Sequence, residues 1–186
     1  RNGIDTMTTE SACLSSVWAT DDKVKEYFEI HKRPQDFKRL QQGDAACYDG
    51  VVEINLDTIV PMIALPFHPS NAYQLADVIA DPEKYLGMVE EEAKRVFENN
   101  KDIHLDLRSK IHNGKIKVDQ AAIAGCAAGS FENIYAVDQI AQKLDKGLGT
   151  FPFNIYPASQ PIMYELNKIG VLNDLMNYGV RVKTAF

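Results

Sequence analysis

Cys126 closes an apolar, strand-like run, Ala121-Ala122-Ile123-Ala124-Gly125, and precedes a short turn, Ala127-Ala128-Gly129. Ser130 then opens a helix-like segment, Phe131 to Val137. A thiol at a strand-to-helix junction meets free backbone N–H groups and the positive end of a helix dipole, both of which favour thiolate. Three roles are open to such a residue: nucleophile, metal ligand, or small buried side chain, which is the common fate of a single cysteine. The other titratable candidates are weaker. His68 lies between two prolines in a loop, where packing or surface exposure is the ordinary role, and His31, His104 and His112 are isolated and lack ligand spacing. The run Gly125 to Ser130 has no lysine after it, so it is not a Walker loop, although Ser130 could cap a weak anion site. Glu90-Glu91-Glu92 reads as a solvated helix face.

The elements around Cys126 must place it. Ala121 to Gly125, Phe153 to Tyr156 and Val180 to Thr184 read as strands, and the segments from Ser130 to Leu144, Ser159 to Ile169 and Leu172 to Tyr178 read as helices. Strands alternating with helices of this length need crossover connections, which implies a parallel sheet with helices on both faces, a three-layer α/β/α arrangement. Ligands of such sheets bind beyond the carboxyl ends of the strands. The Cys126 turn, the turn Tyr156-Pro157-Ala158-Ser159 and the segment after Thr184 are then expected at one edge.

Upstream, Thr8 or Thr9 is expected to cap a helix from Glu10 to Trp18, and Asp21 or Asp22 another through Phe28. Glu10 by itself is an acid in a first helical turn, where the dipole favours it. Pro34 begins a short helix packing Phe37 and Leu40. Val52, Ile54 and Leu56 alternate as a half-buried strand after Asp49-Gly50, and Pro66 to Asn71 reads as a boundary loop. Asp81-Pro82 starts a helix with Tyr85, Leu86, Val89, Ala93, Val96 and Phe97 on its apolar stripe and Glu90, Glu91, Lys94 and Arg95 away from it. Ile103, Leu105 and Leu107 alternate as a strand, and Asn113-Gly114 marks a primed hairpin turn.

The chain has 186 residues, 45% hydrophobic and 25% charged, with net charge −6. The acidic balance and the lack of a basic patch exclude a nucleic-acid surface, and no apolar run is long enough to span a bilayer. Three scattered cysteines, Cys13, Cys47 and Cys126, make no disulfide framework, which with the lack of a signal-peptide pattern points to a reducing cytoplasm. The chain begins at Arg1 and stops straight after a strand-like segment, so a piece of a longer polypeptide is expected.

Val118 to Cys126, with Ser130-Phe131-Glu132-Asn133-Ile134, resembles the first cluster-cysteine motif of the aconitase superfamily, roughly I-G-S-C-T-N-S-x-[YR]-E-D. Phe153 to Ser159 resembles that family's strand and P-G-S turn, and Gly170-Val171-Leu172 with Gly179-Val180 resembles the approach to its next core strand. Met7 to Ala12 resembles N-M-x-x-E-x-G-A, and Pro66-Phe67-His68-Pro69 resembles x-F-T-P-D. The matches run in family order over nearly the whole chain. They imply residues 1–66 as the end of a second domain and 67–186 as most of a third.

The resemblance implies an iron–sulfur hydro-lyase of hydroxy-carboxylic acids whose [4Fe–4S] cluster is held by three cysteines, with an open iron as Lewis acid. Cys126 matches the first ligand. The other two, a C-x-x-C pair, would begin just after Phe186. Glu10 matches the catalytic glutamate that pairs with a histidine of the first domain. Its partners would be the small-molecule substrate and the remaining domains of the same polypeptide, and this stretch alone would be inactive and without cluster. Ala127-Ala128 in place of Thr-Asn, and Ser70 in place of Asp, leave the substrate open. Two other readings stand beside it, a stand-alone α/β module with Cys126 as a redox or transferase nucleophile, and a non-catalytic α/β binding domain.

Overall fold

The computed structural model describes residues 2–100 and 102–184. The first helix, α1, spans Asn2–Glu10 and therefore ends where the sequence reading places a helix start. The Thr8 hydroxyl donates to the Asp5 carbonyl at 2.6 Å inside this helix, so it caps nothing downstream. Ala12, at φ 57°, turns the chain out of the helix, and residues up to Trp18 are irregular. Helix α2, Asp22–Ile30, starts as expected: the Asp21 carboxylate accepts from the Val24 N–H at 3.1 Å. Pro34–Asp36 is a single 3-10 turn. Thr20 ties the following segment back, accepting from the Leu40 N–H at 2.7 Å and donating to the Lys38 carbonyl at 3.0 Å.

The strand expected at 52–56 does not form. Val52, Ile54 and Leu56 are 86%, 62% and 76% exposed, and Leu56–Thr58 is a 3-10 turn opened by the Asn55 side chain. Alternation supplies a face, but a strand also needs a neighbour to accept and donate its ladder bonds. None pairs with it among the described residues.

Strands β1, Met62–Ala64, and β2, Ala72–Gln74, pair antiparallel with Ile63 opposite Tyr73. The loop 66–71 joins them, closed by the Leu65 N–H donating to the Asn71 carbonyl at 2.8 Å. Helix α3, Leu75–Ala80, leads to Asp81, whose carboxylate caps α4, Pro82–Val96, through the Lys84 N–H at 3.1 Å. Tyr85, Leu86, Val89 and Ala93 of α4 are buried with Val78 of α3; Val96, read as part of the same stripe, is exposed. Glu90 reverses its expected placement. It is buried, accepting from the Arg108 backbone N–H at 2.8 Å and the Arg108 Nε at 2.7 Å. Only Glu91 and Glu92 behave as a solvated face, paired with Lys94 and Arg95. The strand expected at 103–107 is also missing: among the described residues no strand pairs with this segment, and it runs into the 3-10 helix Arg108–Lys110.

The hairpin at Asn113-Gly114 is present. It links β3, Ile111–His112, to β4, Lys115–Ile116, with positive φ at both turn residues, 52° and 73°.

The α/β core follows. Strands β5, Ala121–Ile123, β6, Phe153–Ile155, and β7, Arg181–Val182, form a parallel sheet in sequence order. Between β5 and β6 lie α5, Gly125–Ala128, and α6, Phe131–Ala141. Between β6 and β7 lie α7, Gln160–Lys168, capped by Ser159, and α8, Val171–Tyr178. Helices α6, α7 and α8 pack on one another, as two successive crossovers to adjacent strands of one hand require. Ile134, Ile155, Leu166 and Leu175 are fully buried between them. The α/β class with a parallel sheet is as read from the sequence; β1–β2 is an antiparallel ribbon that was not.

Candidate functional site

Strand β5 reaches Ile123, and the chain turns at Gly125, whose φ of 93° suits a residue without Cβ. Cys126 then sits in the first turn of α5, exposed. Two contacts fix this turn. The Asn133 Nδ2 of α6 donates to the Ala127 carbonyl at 2.9 Å. Gly129 accepts from the Ala158 N–H at 2.9 Å, and a Cβ there would lie 2.5 Å from the Tyr156 carbonyl oxygen, so only glycine permits the approach. Ser130 caps α6 through the Asn133 N–H, as expected.

The strand ends are in register. Tyr156 N–H donates to the Ile123 carbonyl at 2.8 Å and Lys183 N–H to the Ile155 carbonyl at 2.9 Å. The Cys126 turn, the turn before α7 and the segment after β7 therefore leave the sheet at one edge, as expected of parallel strands.

An open cleft of about 840 Å³ lies at this edge, with Cys126, Ser130, Glu132 and Asn133 on one side and Asp21 and Lys23 of the α2 start on the other. No local motif in the sequence places the α2 start here, because the approach is between elements a hundred residues apart. Lys23 bonds Glu26 at 2.9 Å, and that carboxylate holds its ammonium above the ordinary lysine range. Helix α1 packs against α5, and Gly3 lines the same cleft. Glu10 ends α1, seven residues and about 10 Å along the axis from Gly3; its side chain lies outside the described residues.

The remaining candidates stay apart. Cys13 and Cys47 are free and exposed, away from the cleft. His68 belongs to a second cleft of about 360 Å³ with Tyr73, Tyr85 and Glu92. Its Nδ1 accepts from the Ser70 N–H at 3.2 Å and faces the Ser70 hydroxyl at 2.7 Å, which fixes it as a turn-packing residue with its proton on Nε2. Among the described residues no three His, Cys, Asp or Glu side chains come together as a metal site, and no helix is long and apolar enough to cross a membrane.

The chain is similar in sequence to known proteins. The chain is 25% identical over 185 residues to the 3-isopropylmalate dehydratase large subunit of Caldanaerobacter subterraneus subsp. tengcongensis, covering 97% of this chain and 34% of that protein. It is 26% identical over 166 residues to the Thermoanaerobacter sp. (strain X514) large subunit, covering 88% and 30%. For the Thermotoga maritima large subunit 1 the identity is 22% over 182 residues, covering 96% and 35%. The chain thus spans about a third of the length of the curated relatives it matches. The family model for aconitases (aconitate hydratase) matches residues 1–186, and with it the chain belongs to the aconitase family.

Proposed function

We propose that this chain is part of an iron–sulfur hydro-lyase that reversibly removes water from a hydroxy-carboxylic acid, with Cys126 giving one thiolate to a [4Fe–4S] cluster. What carries the reading is the exposed thiol just past the carboxyl end of β5, on the edge where the three parallel strands end, in a chain matched to the family end to end. The donor fits one corner of such a group: a soft sulfur ligand, unpaired and open to an 840 Å³ cleft. Two more thiolates must come from outside the described residues, and a C-x-x-C after Phe186 is the expected source. When bound, the cluster supplies a Lewis-acidic iron that polarises a leaving hydroxyl.

This chain's own residues contribute position. Gly129 and Asn133 hold the Cys126 turn against the neighbouring turn and against α6, so the sulfur keeps its height above the sheet. Lys23 places a cation at the cleft mouth, suited to a substrate carboxylate. Glu10 would orient a histidine supplied by the rest of the polypeptide. Those remaining domains are the expected partners, and the first third of this chain presents apolar side chains for them to cover. By itself the chain would be inactive. The free cysteines suit a reducing compartment such as the cytoplasm.

The test is anaerobic reconstitution, with iron and sulfide, of the polypeptide extended past Phe186, followed by visible absorption and EPR. A cluster signal lost in Cys126→Ser supports the ligand role. A cluster retained in that variant, or none in either protein, overturns it.

A further inference from the structure

A second polar site lies away from the Cys126 edge, between α6 and α8. Asp138 of α6 is 2% exposed. Its Oδ2 accepts from the Gln142 Nε2 at 2.8 Å and from the Gln139 Nε2 at 3.4 Å. Its Oδ1 has no hydrogen-bond partner. A buried carboxylate oxygen without a partner is costly, and such groups are ordinarily paired or hold a metal ion.

Asp138 borders a cleft of about 500 Å³ with Gln142, Asp174, Asn177 and Tyr178, and no Lys, Arg or His lines it. Gln142 spends its amide N–H on Asp138, which leaves its carbonyl oxygen free to accept. The lining thus offers two carboxylates and the oxygens of two amides, with no sulfur or imidazole. We propose that the cleft between α6 and α8 binds a hard divalent cation of the Ca²⁺ or Mg²⁺ class through Asp138 and Asp174. Two carboxylates balance its charge, all-oxygen donors match its preference, and the cleft has room for the waters that complete its coordination.

Bound there, the ion joins the C-terminal half of α6 to α8. Asp138 lies eight residues, about 12 Å, beyond Ser130, so the site is independent of Cys126. The reading does not rest on the hydro-lyase proposal.

Tyr178 on the cleft wall makes the test direct, since tyrosine sensitises Tb³⁺ luminescence. The chelator-stripped chain is titrated with Tb³⁺, then with Ca²⁺ as competitor, alongside Asp138→Asn, Asp174→Asn and Cys126→Ser. Saturable emission that Ca²⁺ displaces is expected, weaker in affinity by about tenfold or more in each aspartate variant and unchanged in Cys126→Ser. Asp174 is exposed, so its variant keeps the fold if Asp138→Asn does not. Absent saturable emission, or affinity unchanged in both aspartate variants, overturns the proposal.

Discussion

The first third of the chain and the β5–β7 region both carry apolar side chains along their length, yet these meet opposite fates. Among the residues whose side chains are described none before Val78 is buried, whereas Ile134, Ile155, Leu166 and Leu175 are fully enclosed. The difference lies in pairing. Residues 121–182 carry complete crossover units, each strand beside the next in sequence, so the apolar faces close within sixty residues. Residues 51–60 carry apolar side chains but no strand pairs with them among the described residues, and they remain open. Exposed apolar stretches of this extent mark surfaces meant for contact.

The largest expected effect sets the two regions directly against each other. Ile155→Ala, in the closed core, should cost about 3 to 5 kcal/mol in denaturant unfolding, while Val52→Ala should stay within about 0.5 kcal/mol. Equal losses would erase the contrast. Next comes Gly129→Ala, which forces a Cβ onto the Tyr156 carbonyl; a loss of about 1 to 3 kcal/mol is expected, with a changed Cys126 alkylation rate. A stable variant with an unchanged thiol would mean the two turns are not locked together.

A smaller effect concerns α4, which lies between the two regions in sequence. Hydrogen bonding from the Arg108 backbone, then from its side chain, holds the Glu90 carboxyl below the usual range against the opposing pull of burial. A depressed folded value means the contribution is present above the unfolded glutamate pKa, about 4.3, and fades as pH falls through the lower folded value. Glu90→Gln should flatten that acid limb of the stability curve and cost about 1 to 2 kcal/mol at neutral pH. An acid limb identical in the variant would remove Glu90 from the account.

Local chemistry was readable wherever one short signal decides the outcome. Asp81-Pro82, Asn113-Gly114, Ser130 and Ser159 each supply their own cap or turn, and each does so in the structure. Cys126 was legible as a strand-end residue because the flanking pattern is local too. What failed depends on distant partners. The 52–56 alternation could not reveal that no neighbour pairs with it, and Glu90 looked solvent-facing until Arg108 came back from eighteen residues away. Thr8 followed a plausible capping rule, but its helix had begun upstream. The approach of Asp21 and Lys23 to the Cys126 cleft had no sequence signal at all.

Asn133 grips the Ala127 carbonyl, and its neighbour Ile134 is sealed in the core. The turn that carries the surface thiol is thus tied through one amide to a helix whose next residue is fully buried, and loosening around Ile134 should register as a changed rate of Cys126 alkylation.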